Sequence, residues 1–227
     1  MDGWQKYAAE MFGTFVVFGI GVGAAMSGYE AGWVALAFGL AWITALYTVG
    51  RVSGGHFNPA LSLAAFLDRA ISATDLVYYW VAQFAGALIA GGIFAWLFSS
   101  DAVGGGATTF PEQGFGGFKA FSVEAILTLI LTAAFLTLLR SQAHTKYLGM
   151  GFALFAVTVF GYGVTGAAVN PARWFAPALY GGIWDGAWVY IVGPLVGALA
   201  GWVIYRVVVR GDTDFTDDLG EIKDSIS

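Results

Sequence analysis

Apolar residues dominate six stretches of this chain, and each stretch is long enough to cross the hydrocarbon core of a bilayer. A membrane-spanning helix needs roughly 20 predominantly apolar residues. The pattern predicts such helices near residues 5–27, 32–50, 76–98, 119–140, 147–164 and 186–208. Two shorter apolar stretches remain, near 58–68 and 170–180, and each begins with Asn-Pro-Ala. At about 1.5 Å per residue, a helix of about 11 residues crosses only about half of the core.

The composition supports a membrane protein and argues against several other classes. Of the 227 residues, 58% are hydrophobic and only 11% are charged, which is too little charge for the surface of a soluble domain of this size. The chain has no cysteine and only two histidines. Neither a disulfide framework nor a cysteine or histidine metal cluster is therefore available. We expect no cofactor and no metal.

The basic residues predict the orientation of the chain. If the N-terminus is cytoplasmic, the outer side holds only Lys119 and Arg173, and the inner side holds Lys6, Arg51, Arg69, Arg140, Lys146, Arg206, Arg210 and Lys223. Short cytoplasmic segments of membrane proteins carry such an excess of lysine and arginine. We therefore expect both termini in the cytoplasm. The compact chain is typical of an integral protein of a prokaryotic plasma (inner) membrane.

The acidic character of the chain is confined to its C-terminal end. The last 17 residues hold six acidic residues and one lysine, which accounts for the whole net charge of −5. We expect residues 1–209 to form a single transmembrane channel domain and residues 210–227 to form an acidic cytoplasmic tail. This distribution argues against nucleic-acid binding.

The two halves of the chain, about 5–98 and 119–208, repeat each other. The repeated residues include Asn58, Pro59 and Ala60, which recur 112 positions later as Asn170, Pro171 and Ala172, and Glu10, which recurs 114 positions later as Glu124. Each half contains three spanning helices, an odd number, so the second half must cross the membrane in the opposite direction. The sequence therefore predicts an all-α membrane protein with six transmembrane helices and two re-entrant half-helices in an inverted repeat.

Both short segments have the features of a helix that starts inside the membrane. Asparagine is a good N-cap, and proline is well suited to the first helical turn. Irregular backbone at membrane depth is tolerated only where protein buries it or where it lines a water-filled cavity. Two half-helices that start at mid-depth therefore imply a pore.

These motifs closely resemble those of the aquaporin family, the major intrinsic proteins. The signatures are "SGGHFNPA" and "NPAR", with further matches in "AEMFGTF", "AQFAGAL" and "VGPLVGAL", and together they cover about residues 5–208. The resemblance implies six spanning helices, two half-helices, a pore in every subunit and a homotetramer in the lipid bilayer.

The asparagines and Arg173 are the candidate pore residues that chemistry alone singles out. As N-caps, Asn58 and Asn170 use their side-chain oxygens, so we expect their amide NH₂ groups to be free donors for a passing water molecule. The half-helix N-termini add positive potential at the same point. An arginine inside the membrane is costly without partners, so Arg173 is a functional candidate that would bind oxygens and repel cations.

Two carboxylates inside spanning helices and one histidine before the first motif are further candidates. Glu10 and Glu124 are expected to accept hydrogen bonds from the re-entrant loops, whose backbone donors lack helical partners. A transporter would instead use such acids as a proton or sodium relay. His56 precedes the first motif, where it either narrows the inner vestibule or satisfies backbone groups.

The family resemblance implies a selectivity filter formed by Phe38, Thr158, Ala167 and Arg173. Strict water channels of the family usually have histidine where this chain has Thr158, so the constriction should be wider and less polar. Glycerol channels typically have tryptophan at the position of Phe38 and aspartate just after the arginine, where this chain has Trp174. We expect a channel for water that leaks small neutral solutes such as ammonia or glycerol. The alternatives are a channel mainly for glycerol or ammonia and, more remotely, an ion-coupled transporter; we expect no enzyme.

Overall fold

Helices account for all of the regular structure in residues 3–111 and 113–214, which are the residues that the computed structural model describes. In chain order they are α1 (Trp4–Met26), α2 (Ala31–Ser53), α3 (Pro59–Leu67), α4 (Ala73–Leu97), α5 (Ser100–Gly104), α6 (Gly116–Leu139), α7 (Lys146–Thr165), α8 (Pro171–Gly181) and α9 (Ala187–Ile204). A π-helical turn, Tyr205–Val209, continues α9. Of the acidic tail expected over 210–227, residues 215–227 lie outside the described residues.

Within the described residues, six helices are long and apolar enough to cross a membrane: α1, α2, α4, α6, α7 and α9 with its π-helical turn. Their outer surfaces carry large exposed apolar side chains such as Trp96, Phe160 and Val208. A soluble surface would not tolerate this, whereas lipid tails do. The expectation of an all-α membrane protein with six spanning helices and two half-helices is confirmed.

The two halves of the chain pack in the same way. In the first half α1 packs against α2 and α4, and in the second half α6 packs against α7 and α9. Helices α2 and α7 join the halves, and their antiparallel packing brings Tyr47 against Tyr147. Each half-helix also contacts the opposite half, α3 through α9 and α8 through α4. The half-helices are therefore enclosed by both repeats.

Two equivalent glycines allow the long helices of each half to approach closely. A methyl group at Gly86 of α4 would lie 2.2 Å from the carbonyl oxygen of Met11 in α1. A methyl group at Gly197 of α9 would lie 2.3 Å from the carbonyl oxygen of Ala125 in α6. Only a hydrogen atom fits at these crossings, as is common at membrane helix interfaces.

A buried carboxylate anchors the C-terminal end of α3. Asp68, whose side chain is fully buried, accepts hydrogen bonds from Arg140 Nη2 at 2.8 Å and Arg210 Nη1 at 3.1 Å. Arg140 follows α6, and Arg210 follows the π-helical turn. Both arginines follow helices of the second half, so these ion pairs hold the C-terminal end of α3 against the opposite repeat.

The Gly86→Ala variant tests the close crossing of α1 and α4. We expect a lower thermal stability, because the methyl group would overlap a backbone oxygen and overpacking typically costs about 1–3 kcal/mol. The thermal midpoint in detergent, followed by fluorescence-detected size exclusion, measures the effect. Gly163→Ala is the matched control, because Gly163 is exposed in α7 and has no atom within 4 Å of a methyl group placed there. Equal midpoints for the two variants would contradict the close approach.

Candidate functional site

The two half-helices meet at a narrow internal cavity between the two repeats. The space in and around it, including the part open to solvent, is about 390 Å³. Residues from both halves line it, including the two asparagines, His56 and all four filter candidates, Phe38, Thr158, Ala167 and Arg173. The structure therefore brings Phe38 and Arg173, which are 135 positions apart in the chain, to one continuous space.

Both half-helices begin with the same cap. The Asn58 Oδ1 atom accepts the backbone N–H of Ala60 at 2.9 Å, and the Asn170 Oδ1 atom accepts that of Ala172 at 3.0 Å. Pro59 and Pro171 occupy the first helical position, where the missing N–H has no helical partner to lose. The caps fix both asparagine side chains at the tips of the half-helices.

The amide groups of the two asparagines bind the opposite loop. Asn58 Nδ2 donates to the carbonyl oxygen of Val169 at 2.8 Å, and Asn170 Nδ2 donates to the carbonyl oxygen of Phe57 at 3.0 Å. An amide nitrogen has two hydrogens, so one hydrogen of each amide remains for a solute. The expectation that both NH₂ groups are wholly free is therefore wrong, because each loop supplies the other asparagine with an acceptor.

The residues before the asparagines adopt a left-handed backbone. Phe57 has φ 50° and Val169 has φ 44°. This conformation is unfavourable for a bulky or β-branched residue and persists only where surrounding contacts impose it. At both residues those contacts are present: the carbonyl accepts from the other half's asparagine, and the N–H donates to a buried carboxylate of its own half.

Glu10 is the buried carboxylate that binds the re-entrant loop of the first half. Its Oε1 atom accepts hydrogen bonds from Ser53 Oγ at 2.6 Å and from the backbone N–H of His56 at 3.0 Å. Its Oε2 atom accepts from the backbone N–H of Phe57 at 2.6 Å and from Gln83 Nε2 at 2.7 Å. Four donors on a fully buried side chain match the acceptor pattern of an ionised carboxylate.

Glu124 repeats this arrangement in the second half. It accepts from Thr165 Oγ1 at 2.6 Å and from the backbone N–H groups of Ala168 at 3.0 Å and Val169 at 2.7 Å. Neither Glu10 nor Glu124 lines the cavity, and both are fully buried. Their oxygens are thus occupied by the loops and are not presented to a passing solute.

Two tyrosines, which the sequence did not single out as site residues, hold the starts of the loops. Tyr79 Oη donates to the carbonyl oxygen of Ser53 at 2.7 Å, and Tyr190 Oη donates to that of Thr165 at 3.0 Å. Their separation of 111 residues matches the repeat offset in this part of the chain. That match is the signal that could have identified them.

His56 belongs to a hydrogen-bond chain that starts at Glu10. Gln83 Nε2 donates to Glu10 and also to Ser62 Oγ at 2.8 Å. Ser62 Oγ also lies 3.1 Å from His56 Nδ1, so that the serine links the ring to Gln83 and Glu10. The ring lines the cavity and packs edge-on against Tyr79.

Arg173 brings a positive charge to the end of the cavity at which Phe38 lies. The side chain is buried, and its guanidinium carbon lies 5.4 Å from the centre of the Phe38 ring, within the range of a cation–π contact. In the part of the chain that the structure describes, its Nε and Nη1 atoms have no hydrogen-bond partner. A buried guanidinium with unused donors beside a cavity is a binding point for oxygen atoms of a solute.

Comparisons with known proteins identify the family of this chain. The family model described as Major intrinsic protein matches residues 1–205. Aquaporin Z of Photorhabdus laumondii is 33% identical over 225 residues, which cover 90% of this chain and 97% of that protein. Glycerol uptake facilitator protein-like 6 of Lactiplantibacillus plantarum is 34% identical over 217 residues, which cover 92% of this chain and 100% of that protein. The solved aquaglyceroporin from Plasmodium falciparum has the same fold, with a TM-score of 0.78, 24% identity and coverage of 90% of this chain and 96% of that one.

The Glu124→Gln variant tests the carboxylate that supports the second loop. We expect a marked loss of thermal stability, because an amide NH₂ would face a backbone donor and each hydrogen bond to a charged group contributes about 1.5–3 kcal/mol. The yield and thermal midpoint of the purified protein measure it. Glu30→Gln is the matched control, because Glu30 is exposed before α2 and makes no side-chain cap. A midpoint equal to that of the control would show that Glu124 does not hold the loop.

Proposed function

The chain belongs to the major intrinsic protein family of membrane channels, and from this premise we propose that it is a passive channel for water that excludes ions and protons. The observation that carries the proposal is the pair of asparagines, each with one amide hydrogen left over, at the centre of a cavity with a buried arginine at its filter end. Such a path offers donors to a neutral oxygen and no acceptor carboxylate to a cation. We propose no enzymatic activity.

The proposed exclusion of protons follows because the groups named here present hydrogen-bond donors or positive charge to the solute path. A water oxygen bound by Asn58 and Asn170 turns its hydrogens away from the centre of the pore, which interrupts a chain of water-to-water hydrogen bonds. The N-termini of α3 and α8 add the positive ends of two helix dipoles there, and Arg173 adds a full charge. Aquaporin-type pores are known to exclude protons and cations by this combination.

The filter residues favour water with leakage of small neutral solutes. Phe38 and Arg173 restrict and polarise the path, whereas Thr158 and Ala167 are small and leave space that a histidine would fill. Relatives of similar identity carry the names of a water channel and of a glycerol facilitator-like protein, so they do not decide the solute. A channel mainly for glycerol or ammonia is the second candidate, favoured by the size of Thr158.

An ion-coupled transporter is a weaker candidate. Coupling needs ionisable groups that the ion can reach. Glu10 and Glu124 are sealed from the cavity and occupied by backbone donors, which supports a structural role for them.

We further propose that the chain works as a homotetramer in a prokaryotic inner membrane with both termini in the cytoplasm. An even number of spanning helices returns the chain to the side where it starts. The surplus of lysine and arginine at that side supports its cytoplasmic placement. In the proposed organisation, residues 1–209 form the channel and residues 210–227 form the acidic tail.

Reconstitution into liposomes tests the channel directly. We expect the purified protein to raise osmotic water permeability well above that of empty liposomes, measured by stopped-flow light scattering. Glycerol and ammonia are measured separately on the same vesicles, with slower glycerol flux expected. Correctly folded protein whose vesicles shrink no faster than empty ones would overturn the proposal.

The Thr158→His variant tests the proposed filter. A histidine would narrow the constriction, so glycerol permeability should fall more than water permeability. Thr158→Val is the matched control, because it keeps the width and removes only the hydroxyl. An equal loss of both permeabilities in Thr158→His, or the same change in both variants, would place the size limit elsewhere.

A further inference from the structure

We propose that Trp42 is a second size-selecting residue of this pore and that, together with Leu154, it sets the upper size limit for polyhydroxylated solutes. The inference rests on the proposed channel function and adds a constriction to it. Trp42 is buried and lines the same cavity as Phe38, Asn58 and Asn170. Its indole therefore faces the solute path and not the lipid.

Trp42 and Leu154 form a layer one helical turn from the filter. Trp42 follows Phe38 by four residues in α2, and Leu154 precedes Thr158 by four residues in α7. Four residues advance a helix by about 6 Å on the same face. Because α2 and α7 are antiparallel, both steps lead in the same direction, away from the filter. All four side chains line the cavity.

The indole of Trp42 is fixed from two sides. Its Nε1 atom donates to the carbonyl oxygen of Gly55 at 3.1 Å, on the first re-entrant loop. Its ring stacks on Phe135 of α6, with 6.2 Å between centroids and an angle of 24° between the planes. A tryptophan has only two side-chain torsions, so two such contacts leave it little freedom. It therefore acts as a wall of the cavity and does not swing aside for a large solute.

This layer has larger side chains at positions where the filter has small ones. The filter has two small residues, Thr158 and Ala167, whereas the next layer has the large side chains of Trp42 and Leu154. The only polar hydrogen of Trp42 is already used on Gly55. A solute with several hydroxyl groups would have to give up hydrogen bonds here without replacement, which is costly. Water and ammonia are small enough to keep partners above and below the layer.

The arrangement predicts how two substitutions combine. Widening the filter alone does not admit a polyol that the second layer stops, so the small Thr158 does not by itself make a glycerol channel. Removing the bulk of Trp42 should raise glycerol permeability, and Thr158→His in the same protein should lower it again, because the filter then becomes the narrower layer.

The test compares Trp42→Val, Trp42→Phe and Leu154→Ala in proteoliposomes, with water and glycerol permeability normalised to the amount of folded protein. We expect Trp42→Val to raise the glycerol-to-water permeability ratio about tenfold, which corresponds to a barrier lower by about 1.4 kcal/mol. Trp42→Phe should raise it less, because it removes the N–H and only part of the bulk. Leu154→Ala should raise it without touching the Gly55 hydrogen bond, and it decides the question if Trp42→Val does not fold.

The control is Trp96→Val, the same chemical change on an exposed side chain of α4, where the ratio should stay at the wild-type value. An unchanged ratio in Leu154→Ala and in a folded Trp42→Val would overturn the second constriction. The water permeability of the wild-type protein tests the channel separately. If wild type conducts no water, glycerol entry that appears in Trp42→Val still supports the constriction, and its absence overturns it.

Discussion

The pore depends on one requirement: backbone N–H groups that leave a helix inside an apolar environment need acceptors. Glu10 and Glu124 supply them, each to two successive N–H groups of a re-entrant loop. Without these carboxylates the donors would be buried and unpaired, and the left-handed conformations at Phe57 and Val169 would have no support. The two acids thus have a structural role, and their oxygens are kept out of the solute path.

The same requirement couples the two halves of the chain. The N–H groups of Phe57 and Val169 each donate to the glutamate of the same half. The carbonyl groups of these two residues then accept from the asparagine of the other half. Each loop therefore completes the other, and neither half-helix tip is satisfied alone. The inverted repeat is the simplest arrangement that supplies two such loops facing each other, and the exchange leaves one amide hydrogen of each asparagine for the solute.

Function arises where the two halves differ on this common scaffold. Leu61 and Arg173 occupy equivalent positions, 112 residues apart, and both line the cavity, yet only one of them is charged. His56 is likewise equivalent to Ala168 in the repeat. Hydrogen bonds through Gln83 and Ser62 hold His56 in the first half, whereas the second half has Pro194 at the position equivalent to Gln83. A symmetric backbone thus carries an asymmetric lining, so that the two ends of the pore contact a solute through different groups.

The sequence by itself determined the spanning helices, the two half-helices and the inverted repeat, because hydropathy, helix caps and repeat spacing are properties of neighbouring residues. It also singled out Glu10, Glu124 and Arg173, because a charge in an apolar segment is costly unless it has a purpose. Only the tertiary structure decided that the asparagine amides bind the opposite loop, at separations of 111 and 113 residues. It likewise decided that Trp42 reaches Gly55 and Phe135. Which acceptor a donor reaches, and which ring it packs against, depends on how the helices pack in three dimensions. A local sequence pattern does not contain the distances between residues that are far apart in the chain.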